Sequence, residues 1–186
     1  LATVLQAFFT DYVHTQRNLS ANTVASYRDT WRLLVKYATA TTTTSADQLR
    51  LEDLNRATIN GFLEHLTNQR GNTATTRNTR LAAIRVLLAH TLPDHPEHAD
   101  TIRRILAIPP AKTTKPLISY LNEAETTTLL AAPDTTTWTG RRDQTLLTLA
   151  INTGLRISEL TDLTTASIHT GTNAYVECHG KGRKHR

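Results

Sequence analysis

Apolar residues return at helical spacing through most of the first hundred positions. Val4, Leu5, Phe8, Phe9, Tyr12 and Val13 share one face of a helix over residues 1–17. Asn18-Leu19-Ser20 interrupts the pattern, and Ser20 is a good N-cap for a second helix. That helix runs to about Ala38, with Val24, Tyr27, Trp31, Leu34, Val35 and Ala38 turned inward. The low-complexity tract 39–45 reads as an exposed loop. A third helix follows Asn55 and buries Ile59, Phe62, Leu63 and Leu66. A fourth runs from about Thr73 to His90 and buries Leu81, Ile84, Leu87 and Leu88.

Proline then changes the texture. Pro93, Pro96, Pro109, Pro110 and Pro116 bracket a short helix over 100–107 and stiffen a basic linker carrying Lys112 and Lys115. The pattern predicts a helical domain over 1–108, a linker over 109–118 and a second domain over 119–186. Asn122 followed by Glu125 is a capping-box signature. Pro133 closes that helix, and Trp138-Thr139-Gly140 falls in the loop beyond. From Arg141 a long apolar helix places Leu146, Leu147, Leu149, Ala150 and Ile151 in a core, and Gly154 can take the left-handed conformation that ends it. Arg156 begins the next helix, with Ile157, Leu160 and Leu163 as its inward stripe. The alternation Ala174, Tyr175, Val176, Glu177, Cys178 reads as a strand entering a hairpin through Gly180-Lys181-Gly182. The fold class is therefore mainly α with a small antiparallel β-hairpin.

Composition narrows the setting more than the chemistry. With 186 residues the chain can hold one sizeable or two small cores. No apolar run is long enough to span a bilayer, and the first residues lack the basic-then-apolar plan of a signal peptide. The first residue is not Met, which suggests a trimmed or internal piece of a longer chain. The lone Cys178 excludes an internal disulfide and is compatible with a reducing cytoplasm. Lys and Arg number 21 against 16 Asp and Glu, an excess that tilts toward a polyanionic partner.

Arg156 is the residue whose position asks for an explanation. A cation at a helix start opposes the macrodipole, and the placement makes sense if the guanidinium and nearby amides hold an anion such as phosphate. On the second helix Arg28, Arg32 and Lys36 recur at one-turn spacing on the outward face, either as solvated surface or as phosphate contacts. Thr75, Thr76, Arg77, Asn78 and Arg80 mix small hydroxyl and amide groups with arginines. That composition suits phosphates and base edges, or ordinary polar solvation. Cys178-His179 lacks the companion ligands of a zinc site. Gly180-Lys181-Gly182 lacks the spaced glycine and hydroxyl residue of a P-loop. No hydrolase triad is apparent.

Thr153-Gly154-Leu155-Arg156-Ile157-Ser158-Glu159-Leu160, followed by Gly180-Lys181-Gly182-Arg183-Lys184-His185-Arg186, resembles the first catalytic boxes of the tyrosine recombinases, the integrase family. Leu19-Ser20-Ala21-Asn22-Thr23 with Tyr27, and Thr76-Arg77-Asn78 with Arg80-Leu81-Ala82-Ala83, resemble the family's core-binding domain. The resemblance implies a four-helix, SAM-like core-binding domain followed by a truncated α+β catalytic domain, the two closing around double-stranded DNA. It implies that Arg156 clamps the scissile phosphate, that Lys181 protonates the departing 5′ oxygen and that Glu159 supports the site. Arg28, Arg32, Lys36, Thr76, Arg77, Asn78, Arg80, Lys112, Lys115, Arg183 and Lys184 are the expected DNA contacts.

The resemblance also implies a cytoplasmic enzyme that works as a homotetramer on DNA through 3′-phosphotyrosyl intermediates, with no metal or cofactor. The family's His-x-x-Arg box and late tyrosine nucleophile have no counterpart before Arg186. His14-Thr15-Gln16-Arg17 fits the box literally but lies in the wrong domain, and Tyr12, Tyr27, Tyr37, Tyr120 and Tyr175 all precede the nucleophile's place. The chain is thus expected to bind DNA without forming a covalent link by itself. A noncatalytic DNA-binding integrase is the alternative, and a helical interaction module with merely solubilising charge is a weaker one.

Overall fold

The computed structural model describes residues 1–16, 18–114, 117–180 and 184–185; for residues 14–16, 179–180 and 184–185 it describes the backbone alone. Lys115, Lys181 and Arg183, all expected to meet DNA, lie outside the described residues. The chain divides into two compact units, Leu1–Lys115 and Pro116–Arg186.

In the first unit, α1 (Ala2–Ala7) passes directly into π-helical turns over Phe8–Gln16. The sequence pattern reads one uniform helix here. The wider turns have a packing counterpart: Phe8 and Val13, both fully buried, stand five residues apart, the span of the π-helical i→i+5 hydrogen bond. Phe8 also stacks on Tyr12 at 5.2 Å, and Tyr12 stacks on His90 at 4.2 Å between ring centroids.

α2 (Ala21–Thr42) opens where expected, with the Thr23 amide donating to Ser20 Oγ at 3.4 Å. It then continues through half of the threonine tract. The hydroxyls of Thr39, Thr41 and Thr42 donate to the carbonyls of Lys36, Tyr37 and Ala38 at 3.0, 2.5 and 2.8 Å. Such back-bonding is compatible with helix, so low complexity alone did not end it. The stop comes at Thr43, in the left-handed region at φ 54°.

The turn that follows brings in Leu49, Leu51 and Leu54, all buried, which fit neither a helical nor a strand period and so escape pattern reading. α3 (Arg56–Asn68) starts on Asn55, whose Oδ1 accepts from the amides of Ala57 and Thr58 at 2.9 and 3.0 Å.

α4 (Ala74–Thr91), capped by Thr73, is the centre of the unit and packs against α2, α3 and α5 (Ala99–Leu106). Leu34, Ile59, Phe62, Leu63, Leu66, Leu81, Ile84, Leu87, Leu88, Ile102 and Ile105 fill the space between them. Each such side chain contributes about 1.5–3 kcal/mol by leaving water. The expected inward faces of all three long helices are those observed.

α4 also holds the chain beyond α5. Arg85 donates to the Ile108 carbonyl. Asn78 grips Ala111 twice, its Nδ2 donating to the carbonyl and its Oδ1 accepting from the amide, both at 2.8 Å. Asn78→Ala leaves two backbone groups unpaired, a loss of about 1–3 kcal/mol. The expected result is faster hydrogen exchange at the Ala111 amide with little change in the amides of α3.

In the second unit α6 (Glu123–Ala131) carries the anticipated capping box. The Glu125 amide donates to Asn122 Oδ1 at 2.9 Å, and the Asn122 amide to Glu125 Oε2 at 2.8 Å. α7 (Trp138–Thr153) begins three residues before Arg141, because Thr137 Oγ1 accepts the Gly140 amide at 3.0 Å and caps the turn that pattern reading left as loop. Gly154 ends it at φ 62°, as expected.

Two burial expectations need correction. Leu146, Leu147, Leu149 and Ala150 are half-buried rather than core, and Ile151 is exposed. On α8 (Ile157–Thr161), Leu160 is buried but Ile157 is exposed and Leu163, beyond the helix, half-buried. α7 is apolar around more of its circumference than α6 and α8, its neighbours in the unit, can cover.

Past a short 3₁₀ turn (Thr165–Ser167), β1 (Ile168–His169) pairs antiparallel with β2 (Tyr175–Val176), Ile168 opposite Val176. β3 (His179–Gly180) pairs antiparallel with β4 (Lys184–His185), Gly180 opposite Lys184. Of the single strand expected over 174–178 only Tyr175–Val176 are strand, paired with β1, which was not foreseen. The architecture is mainly helical with small antiparallel strand pairs, in keeping with the fold class read from the sequence.

Candidate functional site

The α7–α8 corner shows how the fold presents one guanidinium. Gly154 in its left-handed conformation turns the chain after α7, and Arg156 becomes the N-cap of α8 with extended backbone at φ −68°, ψ 153°. Glu159, three residues on, folds back beneath it. Its Oε2 accepts the Arg156 amide at 2.9 Å, and its Oε1 accepts from Arg156 Nη1 at 2.8 Å.

The two side chains differ sharply in environment, 4% exposed for Glu159 and 62% for Arg156. A buried carboxylate without a cation would be costly, so the pair has a structural role. Its geometric effect is to fix a planar five-donor group at the surface with one edge spent on the acid. Glu159 thus bonds Arg156 at both its amide and its guanidinium.

A second constellation lies on α2 and α4 in the first unit. Arg28, Arg32 and Lys36 are all exposed on α2, and Thr76 is exposed on α4. Arg77 is half-buried beside them in sequence, its Nη1 on Asn78 Oδ1 at 3.4 Å, and Lys112 is exposed in the segment that Asn78 anchors.

The structure turns two of the expected DNA contacts inward. Asn78 holds Ala111. Arg80, with its side chain 16% exposed, donates from Nη2 to Asp29 Oδ2 at 2.9 Å and from Nη1 to Thr30 Oγ1 at 3.3 Å. Pattern reading missed Asp29. Its pairing with Arg32 at i,i+3 was available in the sequence, whereas the bond to Arg80 spans 51 positions and was not. Of the remaining expected contacts, Lys184 is described only as backbone in β4.

The Arg80 guanidinium holds the Asp29 carboxyl below its ordinary value of 3.8, against an upward push from burial and with further help from Arg32. A carboxyl whose folded pKa is depressed stabilises the fold above its unfolded pKa and loses that contribution as pH falls through the folded one. The acid-unfolding curve of wild type should therefore steepen below about pH 3.8, and Asp29→Asn should flatten that part of the curve. Because Asp29 is partly solvated, the effect is modest.

The same two regions carry the similarity to known proteins. Residues 7–92 match the family profile described as the N-terminal SAM-like domain of phage integrases, and residues 119–186 match that of the phage integrase family. The chain belongs to this family. Within the family, it is 41% identical over 186 residues to the Sinorhizobium fredii integrase/recombinase y4rC, covering 100% of this chain and 56% of that protein. Over 187 residues it is 36% identical to y4rD of the same organism, covering 66% of it. With the tyrosine recombinase XerD of Pasteurella multocida it shares 32% identity over 178 residues, 96% of this chain and 56% of that protein. The chain thus spans between about half and two thirds of the length of these family members. Among the described residues, no helix of this integrase-family chain is long and apolar enough to cross a membrane, and no group of His, Cys, Asp and Glu is placed to hold a metal.

Proposed function

We propose that the chain is the DNA-gripping unit, and the start of the catalytic unit, of a site-specific DNA recombinase that cuts and rejoins strands through a 3′-phosphotyrosyl intermediate. The observation that carries this reading is the Arg156–Glu159 corner, an exposed guanidinium held in place by a carboxylate only 4% exposed. A fixed fork of this kind matches two nonbridging phosphate oxygens and neutralises the charge that builds on them during attack.

Lys181, between β3 and β4 in sequence, is assigned the general-acid role at the leaving 5′ oxygen. Arg183, Lys184 and Arg186, close in sequence, bring positive charge that favours proton release. The first unit meets the duplex with Arg28, Arg32, Lys36, Thr76, Arg77 and Lys112, joined by Lys115 in the linker. Asn78 and Arg80 support that surface from behind.

Attack falls to a tyrosine C-terminal to this stretch, since the last tyrosine here is Tyr175, before Lys181. The complete enzyme acts in the cytoplasm as a homotetramer on its recombination site. Its bond energy is kept in the phosphotyrosyl ester, so neither a metal nor a nucleotide cofactor enters.

Two measurements on the 186-residue chain test this. Duplex affinity should fall steeply with salt, with a slope of about −0.9 per phosphate contacted. A nicked suicide duplex should yield no covalent adduct with this stretch and a protease-sensitive adduct with the complete protein. Salt-independent binding refutes the DNA reading, and an adduct with the 186-residue chain refutes the assignment of the nucleophile.

A further inference from the structure

A carboxylate is electrostatically misplaced on a surface whose task is to neutralise phosphates, because it cancels the charge that releases counterions. Asp29 nonetheless sits among the cations of α2. Its bonds form a relay running from the core outward. Thr30, fully buried, donates its hydroxyl to the Ser26 carbonyl at 2.8 Å and accepts from Arg80 Nη1. Arg80 Nη2 reaches Asp29 Oδ2 at 2.9 Å, and Asp29 Oδ1 holds Arg32 Nη2, also at 2.9 Å. Side-chain exposure climbs along the relay from 16% at Arg80 through 38% at Asp29 to 77% at Arg32. Among the described residues, Arg28 and Lys36, one turn to either side, have no such carboxylate.

The relay lowers the net charge of the surface and in exchange gives one exposed guanidinium a carboxylate partner that is itself held by Arg80. That exchange brings little to a backbone contact that only positions the duplex, since an unrestrained lysine or arginine makes it as well. It is favourable for a base contact, which needs two donors in a fixed plane. Two parallel donors fit the O6 and N7 acceptors of guanine in the major groove, the commonest specific contact to DNA.

We infer that Arg32 is a base-reading residue, its guanidinium oriented by Asp29 and Arg80 to bond a guanine edge, while Arg28 and Lys36 hold the backbone. The inference rests on the reading that the first unit grips duplex DNA. Asp29 and Arg80 are positioning residues in it; they touch each other and Arg32 rather than the base.

The test takes the 186-residue chain through selection on a randomised duplex library. Binding to the selected duplex and its single-base-pair variants is then measured at one salt concentration. Arg32→Lys keeps the charge and loses the fork. It should relax the preference for guanine at one base pair by about tenfold to a hundredfold, leaving the salt slope unchanged. Asp29→Asn should relax the same base pair and no other, with unchanged or tighter binding to unrelated duplex. Arg28→Ala should weaken all duplexes alike and lower the salt slope by about one.

The inference is overturned if Arg32→Lys preserves every base preference, if Arg32→Ala behaves as Arg28→Ala does, or if Asp29→Asn leaves the affected base pair untouched while its melting temperature stays at the wild-type value. Should Asp29→Asn fail to fold, the arginine variants decide alone, since Arg32 is a surface side chain. Absence of binding to any duplex would instead remove the DNA reading itself.

Discussion

On the proposed function, replacing Arg156 by alanine in the complete protein should slow strand cleavage by about 10²–10³ or more, the range seen when a preorganised donor to a developing oxyanion is removed. Duplex affinity changes little, because binding is distributed over many backbone contacts. The structure adds a complication that sequence could not supply. The same substitution leaves Glu159, 4% exposed, with the residue-156 amide as its remaining partner from that position. Some loss of stability therefore accompanies the loss of rate, and the two must be separated.

Arg156→Lys separates them. It restores a cation near Glu159 but presents a point charge where a fork is needed, so stability recovers while cleavage stays slow. The measurements are single-turnover cleavage, duplex binding and a thermal melt of each variant. Wild-type cleavage by either variant would remove Arg156 from the reaction.

Gly140→Ala should destabilise the second unit by about 2–4 kcal/mol, at the upper end of overpacking effects. Gly140 is the buried residue of α7, and a methyl group there would run into the backbone carbonyl of Asp134. That loop cannot easily give way. The Asp134 carbonyl accepts from the Thr137 amide at 3.2 Å and its hydroxyl at 2.9 Å. Asp134 Oδ1 takes the Thr136 amide and hydroxyl at 3.0 and 2.6 Å, and Arg141 Nη1 bonds the carbonyls of Thr135 and Thr136.

Gly61 is the natural control. A Cβ there meets only the hydroxyl end of Tyr37, at 2.5 Å, and a ring tip can swing aside. Hydrogen exchange should show α6 and α7 losing protection in Gly140→Ala while α2 and α4 keep theirs. Equal protection in both variants would mean that the loop moves freely.

What was legible in the sequence follows from the range of the interaction that decides each feature. Ser20, Asn55, Asn122 and Gly154 each satisfy backbone groups within a turn of themselves, and each was readable by type and place. The inward faces of α2, α3 and α4 were equally readable, since burial on a bundle helix follows its own period. The misreadings have other causes. Thr39–Thr42 were taken for a loop by composition, although a threonine can bond its own helix. Trp138–Gly140 were taken for a loop because the cap at Thr137 and the close approach to Asp134 are tertiary facts.

The candidate site divides in the same way. The link from Arg156 to Glu159 is three residues long and was visible. The one from Asp29 to Arg80 is not, and it ties an expected DNA contact to a partner on another helix.

Threonine hydroxyls bonded to their own helices bear on which groups are left for DNA. A phosphate oxygen can only accept, so a hydroxyl whose proton is already spoken for offers it nothing. On α4 the Thr79 proton goes to the Thr75 carbonyl at 3.0 Å, while Thr76 shares its hydroxyl only with that of Thr73, at 3.1 Å, where either can give. Of those two neighbouring threonines on α4, Thr76 is therefore the one equipped to serve a nucleic-acid strand.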